Sequence, residues 1–320
     1  MLSTKRTVET TQPVVIANTV RVDFRSEVNQ RSYSITVALP LVVAREKGYP
    51  VLYVLDGYWY FASAVEAVRK NAPDVVVVGI GYPDGEAYIE SVLARHPSLP
   101  VWFEDEPTFR SAVFLERFYD LGLPASDEVL SRDLRCYGTM LAATNVGGLN
   151  DFLKVLETEI KPRVAAMATI DSSNQAIFGH SLGGLAVVHA LFVEPTAFRT
   201  FIAASPSIWW SEEAVLVGEA RFADAVRAGA ATPKVLVTIG SEEQTPDPKV
   251  AAGFSLDFAE YAAGIRRHRM VENARELAER LNALPGSGDF EVEYAVFPKQ
   301  SHGIAPWAAL GRAVPFAFRR

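Results

Sequence analysis

The sequence predicts an α/β fold in which helices cover both faces of a mostly parallel sheet. Short, continuous apolar runs recur along the chain, and such runs are typical of strands buried on both faces. Helical periodicity separates these runs. Two segments near the N-terminus instead alternate apolar and polar side chains, which predicts antiparallel strands half exposed at a sheet edge.

The elements follow in order along the chain. The alternating segments span residues 13–24 and 32–39. Apolar runs predict buried strands at residues 51–55, 75–80, 176–178, 201–204 and 235–239. Helices are predicted around residues 60–71, 147–167, 182–193, 212–228 and 257–284. A last strand at 290–297 alternates again, and a closing helix starts at about residue 306.

With neither an internal repeat nor a low-complexity linker, residues 1–320 are interpreted as a single domain. Residues 82–137 combine proline, aromatic and charged side chains with weak periodicity, including the string Trp102-Phe103-Glu104-Asp105-Glu106. Connections of this length in a compact domain are often lids or binding loops. We therefore predict a cap-like lid or binding insert at about 82–137.

Bulk properties limit the possible partners and compartment. The chain has a net charge of −7 and a pI of about 5.4, which gives nucleic-acid binding no electrostatic support. No apolar stretch is long enough to span a membrane. The single cysteine, Cys136, excludes an intramolecular disulfide, and the polar N-terminus lacks a signal-peptide core, so a cytoplasmic location is predicted. The sequence does not indicate the oligomeric state.

The pattern Gly-x-Ser-x-Gly occurs at Gly179-His180-Ser181-Leu182-Gly183, between a predicted strand and a predicted helix. This is the context of a nucleophile elbow, in which a strained serine requires very small neighbours. The pattern alone arises by chance in roughly one chain in ten of this length, since glycine and serine are common. A glycine-rich turn without chemistry is therefore the alternative that other residues must exclude.

A nucleophilic serine needs a base and an orienting acid, and after an elbow these follow in the order acid, then histidine. Of the histidines, His302 alone lies downstream of the elbow on a loop that follows a strand. The acid should lie on the loop after 235–239, where Glu242 and Glu243 are adjacent. The spacing does not choose between them, and Asp247 and Asp257 are weaker alternatives.

Acyl transfer also requires two backbone donors for the oxyanion. One is predicted to be the N–H of Leu182, and the other the N–H of Tyr58, which follows an early strand. The alternative for Asp56-Gly57-Tyr58 is a simple turn. No metal-ligand spacing and no phosphate-binding glycine loop is present, so neither a metal nor a cofactor is predicted.

Several strings occur together in a characteristic order: Val51 through Gly57, Gly79-Ile80-Gly81-Tyr82, Gly179 through Gly184, Ser205-Pro206-Ser207-Ile208-Trp209-Trp210, and Phe297 through Gly303. In combination they resemble the "putative esterase" (esterase D-like) group of α/β-hydrolases. The Ser-Pro-Ser-Ile-Trp-Trp string is similar to the branch of trilactone siderophore esterases, which act on enterobactin, salmochelin or bacillibactin. The resemblance covers roughly residues 15–81 and 145–318.

This resemblance implies an α/β-hydrolase fold with Ser181 as nucleophile and His302 as base. A Gly-x-x-Glu string after the strand, Gly240-Ser241-Glu242-Glu243, favours Glu243 as the acid. Tyr58 and Leu182 would line the oxyanion hole. Trp209 and Trp210 would either form a pocket wall that binds substrate or belong to the core.

The chain departs from the branch in the insert. An Arg-x-x-Asp-Leu-x-x-Pro segment comes late, at Arg117 to Pro124, after about thirty residues of insert. We therefore predict a serine esterase that forms an acyl-enzyme on a small-molecule ester, with a siderophore trilactone first among the substrates. Feruloyl-type, xenobiotic and other secondary-metabolite esters stay open, as do an acyltransferase and a non-catalytic binding protein on the same scaffold.

Overall fold

The computed structural model describes residues 15–95, 109–137, 141–253, 256–286 and 288–319. Eight strands lie within these ranges: β1 Thr19–Arg25, β2 Ser32–Ala38, β3 Tyr49–Val54, β4 Val76–Gly81, β5 Ile170–His180, β6 Thr200–Ala204, β7 Lys234–Gly240 and β8 Glu291–Phe297. They form one sheet in the order β1-β2-β4-β3-β5-β6-β7-β8. Pairing is antiparallel for β1–β2 and β2–β4 and parallel from β4 to β8, as the sequence predicts.

The α-helices in the described ranges are α1 Gly57–Asn71, α2 Glu86–Ala94, α3 Phe109–Leu121, α4 Asp127–Leu134, α5 Leu149–Val155, α6 Lys161–Met167, α7 Leu182–Val193, α8 Glu219–Arg227, α9 Pro248–Gly253, α10 Phe258–Arg267, α11 Met270–Asn282 and α12 Ala305–Phe318. One apolar cluster includes α7 and α11, and a second includes α1 and α12. The central strands are buried between the two clusters, which explains their continuous apolar sequences. This is the α/β-hydrolase architecture.

Three predicted helices are subdivided in the structure. The segment predicted at 257–284 is two helices, because Arg269 adopts a left-handed conformation (φ 45°) between α10 and α11. A 3₁₀ segment, Ala214–Gly218, precedes α8. A π-helical turn, Leu156–Ile160, connects α5 to α6. Sequence periodicity is nearly the same on both sides of each junction, so it does not mark the break.

The stretch from residue 82 to 137 contains regular structure that its weak periodicity does not predict: α2, α3 and α4. The reason is clearest in α3, which buries Glu116, Arg117 and Asp120 among apolar residues. Buried charges interrupt the apolar stripe by which an amphipathic helix is recognised. The string 102–106 lies outside the described residues.

Candidate active site

The predicted site residues meet at the carboxyl edge of the parallel strands. Ser181 directly follows β5, and two other serines, Ser205 and Ser207, follow the neighbouring strand β6. Glu243 follows β7, and His302 follows β8. Parallel strands that lie side by side end at the same edge, so residues far apart in sequence become neighbours there.

Ser181 occupies a sharp strand-to-helix turn with φ 60° and ψ −118°. This conformation is rare for a residue with a side chain and costs on the order of 1–3 kcal/mol. The turn requires glycine at position 179, because a Cβ there would lie 2.1 Å from the carbonyl oxygen of Gly183. A Cβ on Gly184 would lie 2.7 Å from the carbonyl oxygen of Ala204. The glycines at positions 179 and 184 therefore allow the strained geometry of Ser181.

The structure brings His302 and Glu243 into direct contact. His302 Nδ1 lies 2.5 Å from Glu243 Oε2. The Glu243 side chain is fully buried, whereas that of His302 is 41 % exposed at the surface of the site. Glu242, its neighbour, is exposed, and Asp257 caps α10 by accepting the Glu260 N–H. Among the acids left open by the spacing, the geometry favours Glu243.

The other oxygen of Glu243 accepts two hydrogen bonds. The Ser205 hydroxyl donates to Oε1 at 2.5 Å, and the Gly240 backbone N–H donates to the same atom at 2.7 Å. Hydrogen bonds to a carboxylate favour its charged form, which would otherwise be costly at a buried position. The carboxylate is therefore held by donors on both oxygens.

The nucleophile candidate contacts the turn that follows β6. Ser181 Oγ lies 3.4 Å from Ser207 Oγ, and the Ser207 N–H donates to the Ser181 carbonyl at 3.1 Å. The ring of His302 packs 4.5 Å, centroid to centroid, from the ring of His180, the residue that precedes Ser181. The imidazole of His302 therefore lies directly beside the elbow.

His180 is a buried histidine whose Nδ1 lies 3.0 Å from the Tyr60 hydroxyl. Burial lowers the pKa of His180 well below its usual value, and the nearby His302 and Arg117 lower it further. Burial thus favours the neutral form of His180, which adds no positive charge next to His302.

The two predicted oxyanion donors lie in the first turns of α7 and α1. Leu182 is the first residue of α7, where a helix leaves its N–H groups without intrahelical acceptors. Tyr58 lies in the first turn of α1, after Asp56, which adopts a left-handed conformation with φ 54°. The two helix starts are close, since a Cβ on Gly183 would lie 3.2 Å from Asp56 Oδ2. Their oxyanion role stays a prediction.

A buried arginine that the sequence did not assign connects these two turns. Arg117 Nε donates to Asp56 Oδ1 at 2.7 Å, and another of its nitrogens donates to the His180 carbonyl at 3.1 Å. Burial raises the pKa of Asp56, while Arg117 opposes that shift. Arg117 comes from α3, so this helix of the insert contacts both the turn before α1 and the nucleophile elbow.

The two tryptophans lie in different environments. Trp210 is 1 % exposed, its indole N–H donates to the Leu123 carbonyl at 2.8 Å, and its ring stacks on Phe118. These contacts favour the core alternative for Trp210. Trp209 is half-buried and stacks on His268 with ring centroids 3.8 Å apart. A substrate-binding role for Trp209 stays a prediction.

Sequence reasoning missed the serines of the turn after β6 as well as Arg117. Ser205 and Ser207 belong to the Ser-Pro-Ser-Ile-Trp-Trp string. The available signal was their position: they are polar residues directly after a buried strand that neighbours the strand before Ser181. The Arg117 contacts join α3 to residues more than sixty positions away, and no local pattern reports such a contact.

The chain is similar to known proteins of one family. The profile of the family described as "Putative esterase" matches residues 115–307, which is more than half of the chain. The chain belongs to this esterase family. The curated relatives include ferri-bacillibactin esterase BesA of Bacillus subtilis, 30 % identical over 295 residues, covering 90 % of this chain and 85 % of that protein.

Two other relatives extend the comparison of this esterase. The siderophore enterobactin esterase of Emericella nidulans is 27 % identical over 299 residues, covering 89 % of this chain and 88 % of the relative. The crystal structure of BES protein from Bacillus cereus superimposes with a TM-score of 0.72 at 25 % identity, covering 98 % of this chain and 100 % of that one.

Family membership makes the protein a carboxylic ester hydrolase of the serine type and confirms the prediction from sequence. Within the described ranges, no three His, Cys, Asp or Glu side chains are grouped as metal ligands would be. In the same ranges, every helix is too short or too polar to cross a bilayer.

Proposed function

We propose that the esterase works through an acyl-enzyme in which Ser181 is the nucleophile, His302 the general base and Glu243 the orienting acid. The contact between His302 Nδ1 and Glu243 Oε2 supports this assignment most directly. A carboxylate on Nδ1 binds the imidazole N–H there and leaves Nε2 as the acceptor. Nε2 is the nitrogen that a serine hydroxyl needs as its base.

In the first half of the reaction, His302 Nε2 takes the proton of the Ser181 hydroxyl as Oγ attacks the ester carbonyl. The Leu182 and Tyr58 N–H groups stabilise the negative oxygen of the tetrahedral intermediate. The intermediate collapses, the C–O bond to the alcohol breaks, and His302 gives its proton to the leaving oxygen. The product is an alcohol and an ester of Ser181.

In the second half, His302 takes a proton from water, and the resulting hydroxide adds to the acyl carbon. Collapse of the second intermediate breaks the bond to Ser181 Oγ, which recovers its proton from His302. Glu243 stays ionised throughout and stabilises the imidazolium in each step.

The substrate is proposed to be a siderophore ester, and more specifically a trilactone. The names of the relatives support this, since proteins similar over about nine-tenths of the chain act on ferri-bacillibactin and on enterobactin. The half-buried Trp209, two residues from Ser207, is proposed to contact the substrate. A cytoplasmic location remains a prediction from the single cysteine of the chain.

The catalytic assignment is tested by Ser181→Ala. We expect loss of p-nitrophenyl acetate hydrolysis by about 10³-fold or more and loss of labelling by a fluorophosphonate probe, because the proposed acyl-enzyme forms on the Ser181 hydroxyl. Ser173→Ala, on the exposed start of β5, is the matched control and should keep both. Hydrolysis that survives in Ser181→Ala would overturn the assignment.

The substrate proposal has a separate test. Iron-free and ferric enterobactin-type trilactones are compared with feruloyl and short-chain aryl esters by kcat/KM. We expect the trilactones to exceed the other esters by at least about tenfold. Preference for another ester would overturn the proposed substrate and leave the mechanism in place. Products other than free acid in the presence of added alcohols would indicate acyl transfer.

A further inference from the structure

The turn that follows β6 carries a serine whose hydroxyl is fully buried against Glu243. Ser205 Oγ donates to Glu243 Oε1 at 2.5 Å, although Ser205 takes no part in the proton transfers of the proposed reaction. Ser205 is completely buried, and its hydroxyl contacts Glu243, which in turn contacts His302. Its hydroxyl therefore acts on the carboxylate rather than on the reacting ester.

Ser205 keeps this position in spite of an unfavourable backbone. Its φ is 46°, a conformation that residues with a Cβ rarely adopt, and it precedes Pro206, which restricts its backbone further. Its N–H donates to the Thr238 carbonyl at 2.8 Å, which anchors the turn to β7. Glycine would satisfy this backbone more easily. Strain kept at one position of an active site points to a role for the side chain.

The geometry of the carboxylate shows what that role is. A glutamate has one more rotatable bond than an aspartate, so a glutamate in this place needs more contacts to hold one orientation. Oε1 is fixed by two donors from different strands, Ser205 after β6 and Gly240 at the end of β7. With Oε1 fixed, Oε2 is directed at His302 Nδ1.

We propose that Ser205 is a positioning residue that fixes the orientation of Glu243, and through Glu243 the tautomer of His302. The proposal rests on the proposed catalytic roles of these residues. Ser207 belongs to the same turn and contacts Ser181 through its hydroxyl and its N–H. A single turn thus sets the distance between the acid and the nucleophile.

Loss of the Ser205 hydroxyl leaves Oε1 with one donor, the Gly240 N–H, so the carboxylate is free to rotate. Rotation of Glu243 would weaken the contact between its Oε2 and His302 Nδ1, which is the contact that selects the tautomer of His302.

The test compares Ser205→Gly with the wild-type enzyme. Glycine removes the hydroxyl and relieves the strained backbone, so the variant should fold and keep its melting temperature. We expect kcat to fall about tenfold to a hundredfold with KM nearly unchanged, in line with one lost hydrogen bond to a buried charge. The downfield proton resonance of the His302–Glu243 hydrogen bond should shift or disappear.

Thr238→Val is the matched control. Thr238 Oγ1 is buried in the adjacent strand and has no hydrogen-bond partner among the described residues, so its removal deletes a nearby hydroxyl without touching the carboxylate. This variant should keep kcat and the proton resonance. Ser205→Ala should match Ser205→Gly in activity and melt at a lower temperature, because alanine keeps the backbone strain.

The possible results separate the two proposals. If Glu243→Gln lowers kcat by about 10⁴-fold, as loss of a triad acid does, while Ser205→Gly has wild-type kcat and the wild-type proton resonance, the positioning role is wrong and the mechanism stands. If Glu243→Gln is fully active, the catalytic assignment of Glu243 itself fails. If Thr238→Val loses as much kcat as Ser205→Gly, the losses reflect a general disturbance of β7. That result would also overturn the positioning role.

Discussion

Ser181 combines two demands that oppose each other at the scale of a single residue. Its backbone lies in a region that a side chain makes unfavourable, yet its side chain is the group proposed to react. The strain is maintained by the sheet contacts on both sides, including the hydrogen bond from Ser181 N–H to the Ala204 carbonyl at 3.0 Å. Stability and chemistry are therefore in conflict at this position.

We predict that Ser181→Gly is more stable than Ser181→Ala by about 1–2 kcal/mol, because glycine adopts this backbone without a clash between Cβ and carbonyl. Both variants lose the hydroxyl, so the comparison isolates the backbone. Urea denaturation followed by circular dichroism measures the difference. Equal unfolding free energies in the two variants would show that the turn is not strained.

At this scale the sequence predicts the residues whose chemistry and order along the chain are distinctive. Ser181 and His302 were found from a motif and from the position of a histidine after the last strand. Glu242 and Glu243 have the same chemistry and adjacent positions, so the choice between them depended on the structure and on the resemblance. Ser205 contacts Glu243, and this contact joins the segments that follow β6 and β7, so neither segment alone predicts it.

At the scale of elements, α3 joins two turns of the candidate site. It supplies Arg117, which contacts both Asp56 before α1 and the carbonyl of His180 before Ser181. The two turns that carry the predicted oxyanion donors are thus joined by one buried guanidinium. Removal of one member of a buried ion pair leaves an uncompensated charge, which is strongly destabilising.

We predict that Arg117→Gln lowers the unfolding free energy by about 3–5 kcal/mol, since it leaves the Asp56 carboxylate buried without its cation. Adding Asp56→Asn should restore part of this loss, because the orphaned charge is then removed as well. Thermal and urea denaturation of the single and double variants measure the coupling. Arg227→Gln, which removes an exposed pair with Asp224, is the control and should have little effect.

If the double variant is no more stable than Arg117→Gln, the pair does not act as a unit.

The sequence could not predict this contact, although it predicted the strands well. Strands buried on both faces have a continuous apolar signature, whereas α3 places Glu116, Arg117 and Asp120 in the interior and so hides its own buried face.

At the scale of the whole molecule, His268 connects segments that are distant in sequence. Its Nε2 lies 2.9 Å from the Asp133 carbonyl at the end of α4, and its Nδ1 lies 3.2 Å from the Tyr137 hydroxyl. Its ring stacks on Trp209 from the turn region after β6. Burial lowers the pKa of His268 to about 4, although the Asp133 carbonyl opposes the shift.

The pH dependence of stability follows from that lowered pKa. Between about pH 4 and 6.5, the unfolded chain binds a proton at His268 that the folded chain does not, so the free energy of unfolding contributed by this group rises with pH. We predict a smaller rise for His268→Gln than for the wild type in this window. Urea denaturation at several pH values measures it, and parallel slopes for the two proteins would contradict the prediction.

The order of the strands leaves β1 and β8 at the two edges of the sheet. β1 carries Arg21 and Asp23, which pair with each other, and Arg21 also pairs with Asp84. β8 carries Glu291 and Glu293, which pair with Arg319 and Arg312 from the end of the chain. Charged side chains on an edge strand disfavour the addition of another strand. Both edges therefore disfavour the edge-to-edge association by which open sheets aggregate. The sheet is limited to its own strands although it does not close into a barrel.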